Sequence, residues 1–245
     1  VVLVQPTKPM LIALADELQI WEKRVHRVIY AGMDIDNRED SFSMHGIEED
    51  GARVSLAVST WGEVSSTWQQ GWAKLEQLAL KEMCTMSRGR SWARPWRTDR
   101  IPNVRGINLD GEGRVVEIDL HDNNLHGHLT EALVVLPRLE VLYLVQNKLS
   151  GVLPHDFALL MNLRDLSLSH NQLSGLLPAS YASLPHLEHL NLGWNRLEGS
   201  VPQEWDAGFP ALKRLDLSSN RLTGDVVIFQ RALDLQVVAL QGNAF

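Results

Sequence analysis

From residue 115 onward, apolar and polar positions follow one frame, Leu-x-x-Leu-x-Leu-x-x-Asn-x-Leu-x-Gly. The third copy reads Leu163, Leu166, Leu168, Asn171, Leu173, Gly175, Leu177, Pro178. Leu166 and Leu168 alternate with Asp165, Ser167 and Ser169, the period-two pattern of a strand with one face inward. The asparagine recurs as Asn123, Asn147, Asn171, Asn195, Asn220 and Asn243, at steps of 24, 24, 24, 25 and 23 residues. So regular a period predicts a solenoid of stacked units whose successive strands pair in parallel. An asparagine amide both donates and accepts, so the six predict a buried ladder where the chain leaves each strand. Gly127, Gly151, Gly175, Gly199 and Gly224 are expected where a side chain would obstruct the turn or φ must be positive. Pro154, Pro178 and Pro202 cannot donate to a ladder, which predicts at most an edge-like stretch on the convex side. Phe157, Tyr181 and Trp205 share one position and are expected in the convex core.

Upstream the period changes. Leu75, Leu78, Ala79, Met83 and Met86 share a helical stripe. Trp92, Trp96 and a short strand at Val104-Arg105-Gly106-Ile107 follow. Residues 71–114 are therefore predicted to cover the open end of the solenoid core. Residues 1–70 form a third region. Leu11, Leu14, Leu18, Trp21, Val25 and Val28 predict a helix over about 10–30. Asp34–Asp40, with Gly46 and Gly51 beyond it, reads as a loop; Arg38 and a missing glycine rule out a calcium loop there. Alternating Val54, Leu56 and Val58 predict a strand over about 53–60.

Residues 115–245 resemble the plant-type leucine-rich-repeat family, with its Leu-x-Gly-x-Leu/Ile-Pro segment. The resemblance implies an α/β repeat solenoid, a right-handed superhelix with a parallel concave sheet, here with a partly helical N-terminal region. In such proteins the concave sheet binds proteins, peptides or small ligands, often as the sensing half of a receptor. The first unit departs with Thr130 where proline is expected, the fifth has Val226-Val227, and the sixth stops at Phe245 before a closing cap. Residues 71–114 are similar to the tryptophan-bearing caps of that family. Extracellular caps usually carry paired cysteines, whereas Cys84 stands alone.

Charge narrows the partners. The net of −7 divides into −5 over residues 1–70, +4 over 71–100 and −6 over 101–245. An acidic solenoid disfavours nucleic acid, because phosphate binding needs concentrated Lys and Arg. The five arginines of Arg88–Arg100 are read as stems around packed tryptophans rather than as an anion patch. No apolar run reaches the ~20 residues of a membrane span. The single cysteine, the lack of an Asn-x-Ser/Thr sequon and a Val1–Val4 start unlike a signal peptide favour an intracellular setting. No phosphate-binding glycine loop, His-Glu-x-x-His, Gly-x-Ser-x-Gly or kinase signature occurs, so no enzyme activity and no cofactor are expected. His121, His126 and His128 cluster at one turn, but their spacing matches no metal site, and no metal is expected.

Outward strand positions repeat in four columns. They read Glu117, Val141, Asp165, His189, Arg214, Val237; then Asp119, Tyr143, Ser167, Asn191, Asp216, Ala239; then His121, Val145, Ser169, Gly193, Ser218, Gln241; then Asp122, Gln146, His170, Trp194, Ser219, Gly242. The scaffold does not require these side chains. Glu117, Asp119, His121, Tyr143, Asp165, His189, Asn191, Trp194, Arg214 and Asp216 are therefore the candidate partner-binding residues. Six strands span about 24–29 Å, room for a standard interface. The expected function is non-enzymatic recognition of a protein or peptide, with the oligomeric state open. The alternative is the ligand-sensing fragment of a larger signalling enzyme, a receptor-like kinase or a repeat-containing GTPase.

Overall fold

Stacked units build two parallel sheets in the computed structural model, which describes the backbone of residues 25–34, 41–48, 53–59, 66–97, 100–225 and 235–245 and side chains from Leu75 onward. Near the N-terminus β1 (Val25–Asp34), β2 (Ser41–Glu48) and β3 (Arg53–Ser59) form an antiparallel sheet in that order. Residues 25–30, expected to end a helix, are thus a strand. The helical stripe there rests on Val25 and Val28 alone, and both β-branched residues suit a strand equally well. The segment around Gly46, expected as a loop, is β2 paired to both neighbours. The rest of the expected helix, up to residue 24, lies outside the described residues.

The cap helix spans Ser66–Met86, rich in Leu, Gln, Lys, Glu and Ala, which hold helical rotamers at little entropic cost. Leu75, Ala79, Leu80 and Met83 bury one face, while Met86 is exposed at the end. The chain then turns through Arg88 at φ 54°. A Cβ at Gly89 would lie 2.1 Å from Cys84 Sγ, so that turn can pack only as glycine. Trp92 and Trp96 lie edge to face at 4.9 Å, and their indole N–H groups donate to Ser87 O and Arg105 O. After β4 (Ile107–Leu109), antiparallel to the first repeat strand, the repeats begin.

Each unit supplies a strand before its asparagine and, in the first five, another after it. The pairs are β5 (Val115–Asp119) and β6 (His126–His128), β7 (Val141–Tyr143) and β8 (Lys148–Gly151), and β9 (Asp165–Ser167) and β10 (Gln172–Gly175). They continue with β11 (His189–Asn191) and β12 (Arg196–Gly199), β13 (Arg214–Asp216) and β14 (Arg221–Leu222), and β15 (Val237–Ala239). The first strands make the concave sheet in the order β15-β13-β11-β9-β7-β5-β4. The second strands form a further parallel sheet, β14-β12-β10-β8-β6, which the sequence pattern does not announce. β8, β10, β12 and β14 each have only one inward leucine and β6 has none, so no alternation marks them. Past Pro154 and Pro178 the convex side is built of 3-10 turns, His155–Leu159 and Ala179–Ser183.

The asparagines are the rungs between units. Asn147 Oδ1 accepts from Asn123 N at 3.1 Å and Leu125 N at 2.9 Å, and its Nδ2 donates to Leu120 O at 2.8 Å and Leu144 O at 3.0 Å. Asn171, Asn195, Asn220 and Asn243 repeat the pattern one unit on, each accepting from the leucine amide of the unit before it. Asn123 caps the row by accepting from Arg94 N at 2.7 Å, which fastens the cap to the first repeat. Thr130 has a matching explanation: its hydroxyl donates to Glu82 Oε1 on the cap helix at 2.7 Å and accepts from Ala132 N, and a proline could do neither.

Phe157, Tyr181 and Trp205 are fully buried in the convex core, one per unit. The Tyr181 hydroxyl donates to Pro154 O at 2.9 Å, and burial pushes its pKa far up. Tyr181→Phe removes this bond while Phe157 N still donates to Pro154 O at 3.2 Å, and should cost about 1 kcal/mol in chemical denaturation. A stability equal to that of the parent would mean that the hydroxyl contributes nothing.

Candidate functional site

Backbone register sets the columns on the concave face. Glu117 pairs with Val141, Val141 with Asp165, Asp165 with His189, His189 with Arg214, and Arg214 with Val237. Asp119, Tyr143, Ser167, Asn191, Asp216 and Ala239 align in the same way. Neighbouring strands ~4.8 Å apart put successive side chains of a column in reach of one another.

A hollow of about 550 Å³ lies on this face, lined among others by His121, Tyr143, Asp165, His189, Asn191, Arg214 and Asp216. At its centre one carboxylate serves two partners. His189 Nδ1 donates to Asp165 Oδ1, and the Tyr143 phenol also interacts with that carboxylate. Burial first, then the Asp165 charge, raises the Tyr143 pKa. Asn191 Oδ1 accepts from Gly193 N at 3.1 Å, and Asp216 Oδ1 accepts from Ser218 N at 2.9 Å. A Cβ on Gly193 would lie 2.9 Å from Asp216 Oδ1, so glycine makes room for that carboxylate. Arg214 is exposed and forms no ion pair among the described residues. The hollow thus offers fixed rings and both signs of charge, held by bonds within the sheet.

Three candidate residues fall outside the hollow. Glu117 accepts from Asn108 Nδ2 at 2.6 Å, toward the cap. Asp119 bonds the His121 ring at 2.6 Å and lines a small crevice with Arg94 and Arg105. Trp194 sits at the edge where the chain leaves the strand. Its whole column, Asp122, Gln146, His170, Trp194, Ser219 and Gly242, has φ between 45° and 75°. These positions were expected to lie on the strand; they are turn residues in the left-handed region, and of them Gln146 still lines the hollow. His170 was not among the candidates, yet its ring stacks on Trp194 at 5.1 Å and 11°. Its position one period before Trp194 was the available signal.

The three clustered histidines face different partners: His121 bonds Asp119, His126 bonds Asn124 O and His128 bonds Ser150 O. Among the described residues no group of three metal-binding side chains converges. No described helix is long and apolar enough to cross a membrane. A neighbouring flank carries charges of alternating sign: Arg164 lies 3.5 Å from Glu140 and 3.1 Å from Glu188, and Lys213 bonds Glu188 on its other side.

The comparisons agree with this geometry. A family model described as leucine rich repeat matches residues 113–173 and 157–197, and a single-repeat version matches 211–231. Among solved structures, the chain is similar to the ectodomain of the membrane receptor kinase GASSHO1/SCHENGEN3 from Arabidopsis thaliana, in complex with CASPARIAN STRIP INTEGRITY FACTOR 2. Identity is 28% over 69% of this chain and 21% of that one, with a TM-score of 0.65. It is similar to the Arabidopsis receptor kinase HAESA ectodomain, in complex with an N-terminally extended IDA peptide hormone, at 27% identity over 71% of this chain and 30% of that one, with a TM-score of 0.62. The Arabidopsis thaliana BIR3–SERK2 complex matches at 29% identity over 68% and 92%, with a TM-score of 0.57. The chain thus spans less than a third of the first two ectodomains. No curated protein matches it by sequence.

Proposed function

We propose that this chain, a plant-type leucine-rich-repeat protein, is a non-enzymatic recognition module that holds a peptide or protein segment in its concave hollow. The observation that carries this reading is the Tyr143–Asp165–His189 cluster flanked by Asn191, Arg214 and Asp216. The solenoid does not need these side chains, and their mutual bonds fix them before a partner arrives, which keeps the ordering cost of binding small. Both signs of charge face the hollow, which suits a segment carrying charged side chains. Two of the similar structures contain a bound peptide or factor, which supports a segment as the ligand.

Affinity capture with the chain and with Asp165→Ala/Arg214→Ala tests the proposal. A partner retained by the parent should lose about tenfold or more in affinity for the double variant, the size expected when central interface groups are truncated. Equal capture of every partner by both proteins would refute it. The similarity to receptor-kinase ectodomains also favours a second reading, that the chain is the sensing part of a larger signalling enzyme. A reading frame that continues into a kinase domain would establish it.

A further inference from the structure

At the cap end of the concave face a smaller crevice, of about 20 Å³, adjoins the hollow. Arg94, Arg105, Asp119, Leu120, His121 and Asn123 line it. His121 also lines the hollow, and Asp119 is in register with Tyr143 on the next strand. The two openings therefore lie about one strand spacing apart, ~4.8 Å. Three side chains of the crevice wall hold donors without acceptors. The guanidinium groups of Arg94 and Arg105 are exposed and form no hydrogen bond or ion pair among the described residues. Asn123 is 1% exposed, and its Nδ2 donates to no acceptor among them. In Asn147, Asn171, Asn195 and Asn220 the same atom donates to the carbonyls of two leucines. The first rung differs because the cap, not a repeat, precedes it, and Arg94 N engages only the amide oxygen. The one carboxylate in the wall, Asp119, is turned to His121, accepting from its backbone N at 3.2 Å and bonding its ring at 2.6 Å.

Resting on the reading that the hollow holds a peptide or protein segment, we propose that this segment continues past His121 and places a carboxylate in the crevice, against Arg94, Arg105 and Asn123 Nδ2. The donors select the group. A guanidinium matches a carboxylate with two parallel N–H donors. A buried amide N–H without an acceptor is costly until a ligand oxygen accepts from it. A water-sized group needs roughly 10–15 Å³, so the crevice admits the tip of a side chain or of a chain and not a ring. Two guanidinium groups against the single Asp119 carboxylate leave one positive charge, which suits a monoanion. The anchor also sets the direction of the segment: its acidic part lies at the cap, and the rest crosses Tyr143, Asp165 and His189.

The test selects binders to the full chain from a displayed library of random dodecapeptides with free C-termini. The retained peptides should share an Asp or Glu, or a free C-terminus, at one fixed place in their consensus. Resynthesis separates the two sources: Asp→Asn or Glu→Gln removes a side-chain carboxylate, and C-terminal amidation removes a terminal one. One of these changes should weaken binding to the parent chain about tenfold and leave binding to Arg94→Ala/Arg105→Ala unchanged. Asn123→Asp keeps the oxygen that accepts from Arg94 N but adds a negative charge. It should weaken the acidic peptide about tenfold or more and the neutralised peptide by less, with unchanged circular dichroism. If neither peptide change matters, or if Arg94→Ala/Arg105→Ala binds the acidic peptide as the parent does, the anchor is overturned. Loss of binding in Asp165→Ala/Arg214→Ala would then show that the hollow reading survives without it. If the parent chain selects no peptide, both readings fall together.

Discussion

Asn147→Ala should destabilise the protein by about 3–4 kcal/mol. The lost amide serves two units at once. Its oxygen accepts from Asn123 N and Leu125 N, and its nitrogen donates to Leu120 O and Leu144 O. Asn123 and Leu125 are buried, so water cannot take over these bonds. Each orphaned buried group costs about 1–3 kcal/mol, and local relaxation recovers part of the sum. Asn243→Ala is the control. Asn243 also bonds Leu222 N, Leu217 O and Leu240 O, but it is partly exposed, and the expected loss is about 1 kcal/mol. Chemical denaturation measures both, and amide exchange at Leu125 reports whether the damage is local. Equal losses at the two positions would show that burial does not set the value of a rung.

Glu76→Ala should cost about 3–5 kcal/mol by unpinning the cap. Glu76 is inaccessible to solvent on the cap helix, pairs with Arg114 at 2.7 Å and accepts from Val115 N at 3.0 Å. Truncation leaves a buried guanidinium without its carboxylate, which is far more costly than exchanging the pair for apolar groups. Glu76→Leu/Arg114→Met should therefore recover most of the loss but not the Val115 bond. A double variant as unstable as Glu76→Ala would contradict this account. Burial raises the Glu76 pKa above 4.5, and the Arg114 charge opposes that shift. A carboxyl with a raised pKa holds its proton more tightly in the folded than in the unfolded state. Its share of stability is complete below the unfolded value and is lost as pH climbs through the folded one. Glu76→Gln, which cannot titrate, should flatten that decline, as thermal unfolding over a pH series would show.

Much of the scaffold was legible because the residues that build it cannot be replaced without loss. Leucine at strand positions, asparagine at the exit and glycine at positive φ each answer a local demand, and repetition multiplies the signal. The ligand-facing positions carry no such demand. The columns could be written down, but not which members share the hollow. Glu117 turned to Asn108, Asp119 to His121, and Trp194 to the His170 ring. The second parallel sheet stayed hidden behind single inward leucines. Thr130 was visible only as a departure until its hydroxyl met Glu82 across the cap boundary.

By itself the sequence determined the period, the strand and turn of each unit, the parallel stacking and the aromatic spine. These follow from contacts between residues a fixed number of positions apart, and such spacing can be read along a chain. Tertiary structure alone decided that residues 25–34 pair as a strand, that Glu76 reaches Arg114, that one carboxylate joins Tyr143 to His189, and that His170 backs Trp194. Those contacts depend on where a side chain points once neighbouring units are in place, and that direction is set by packing rather than by the order of residues.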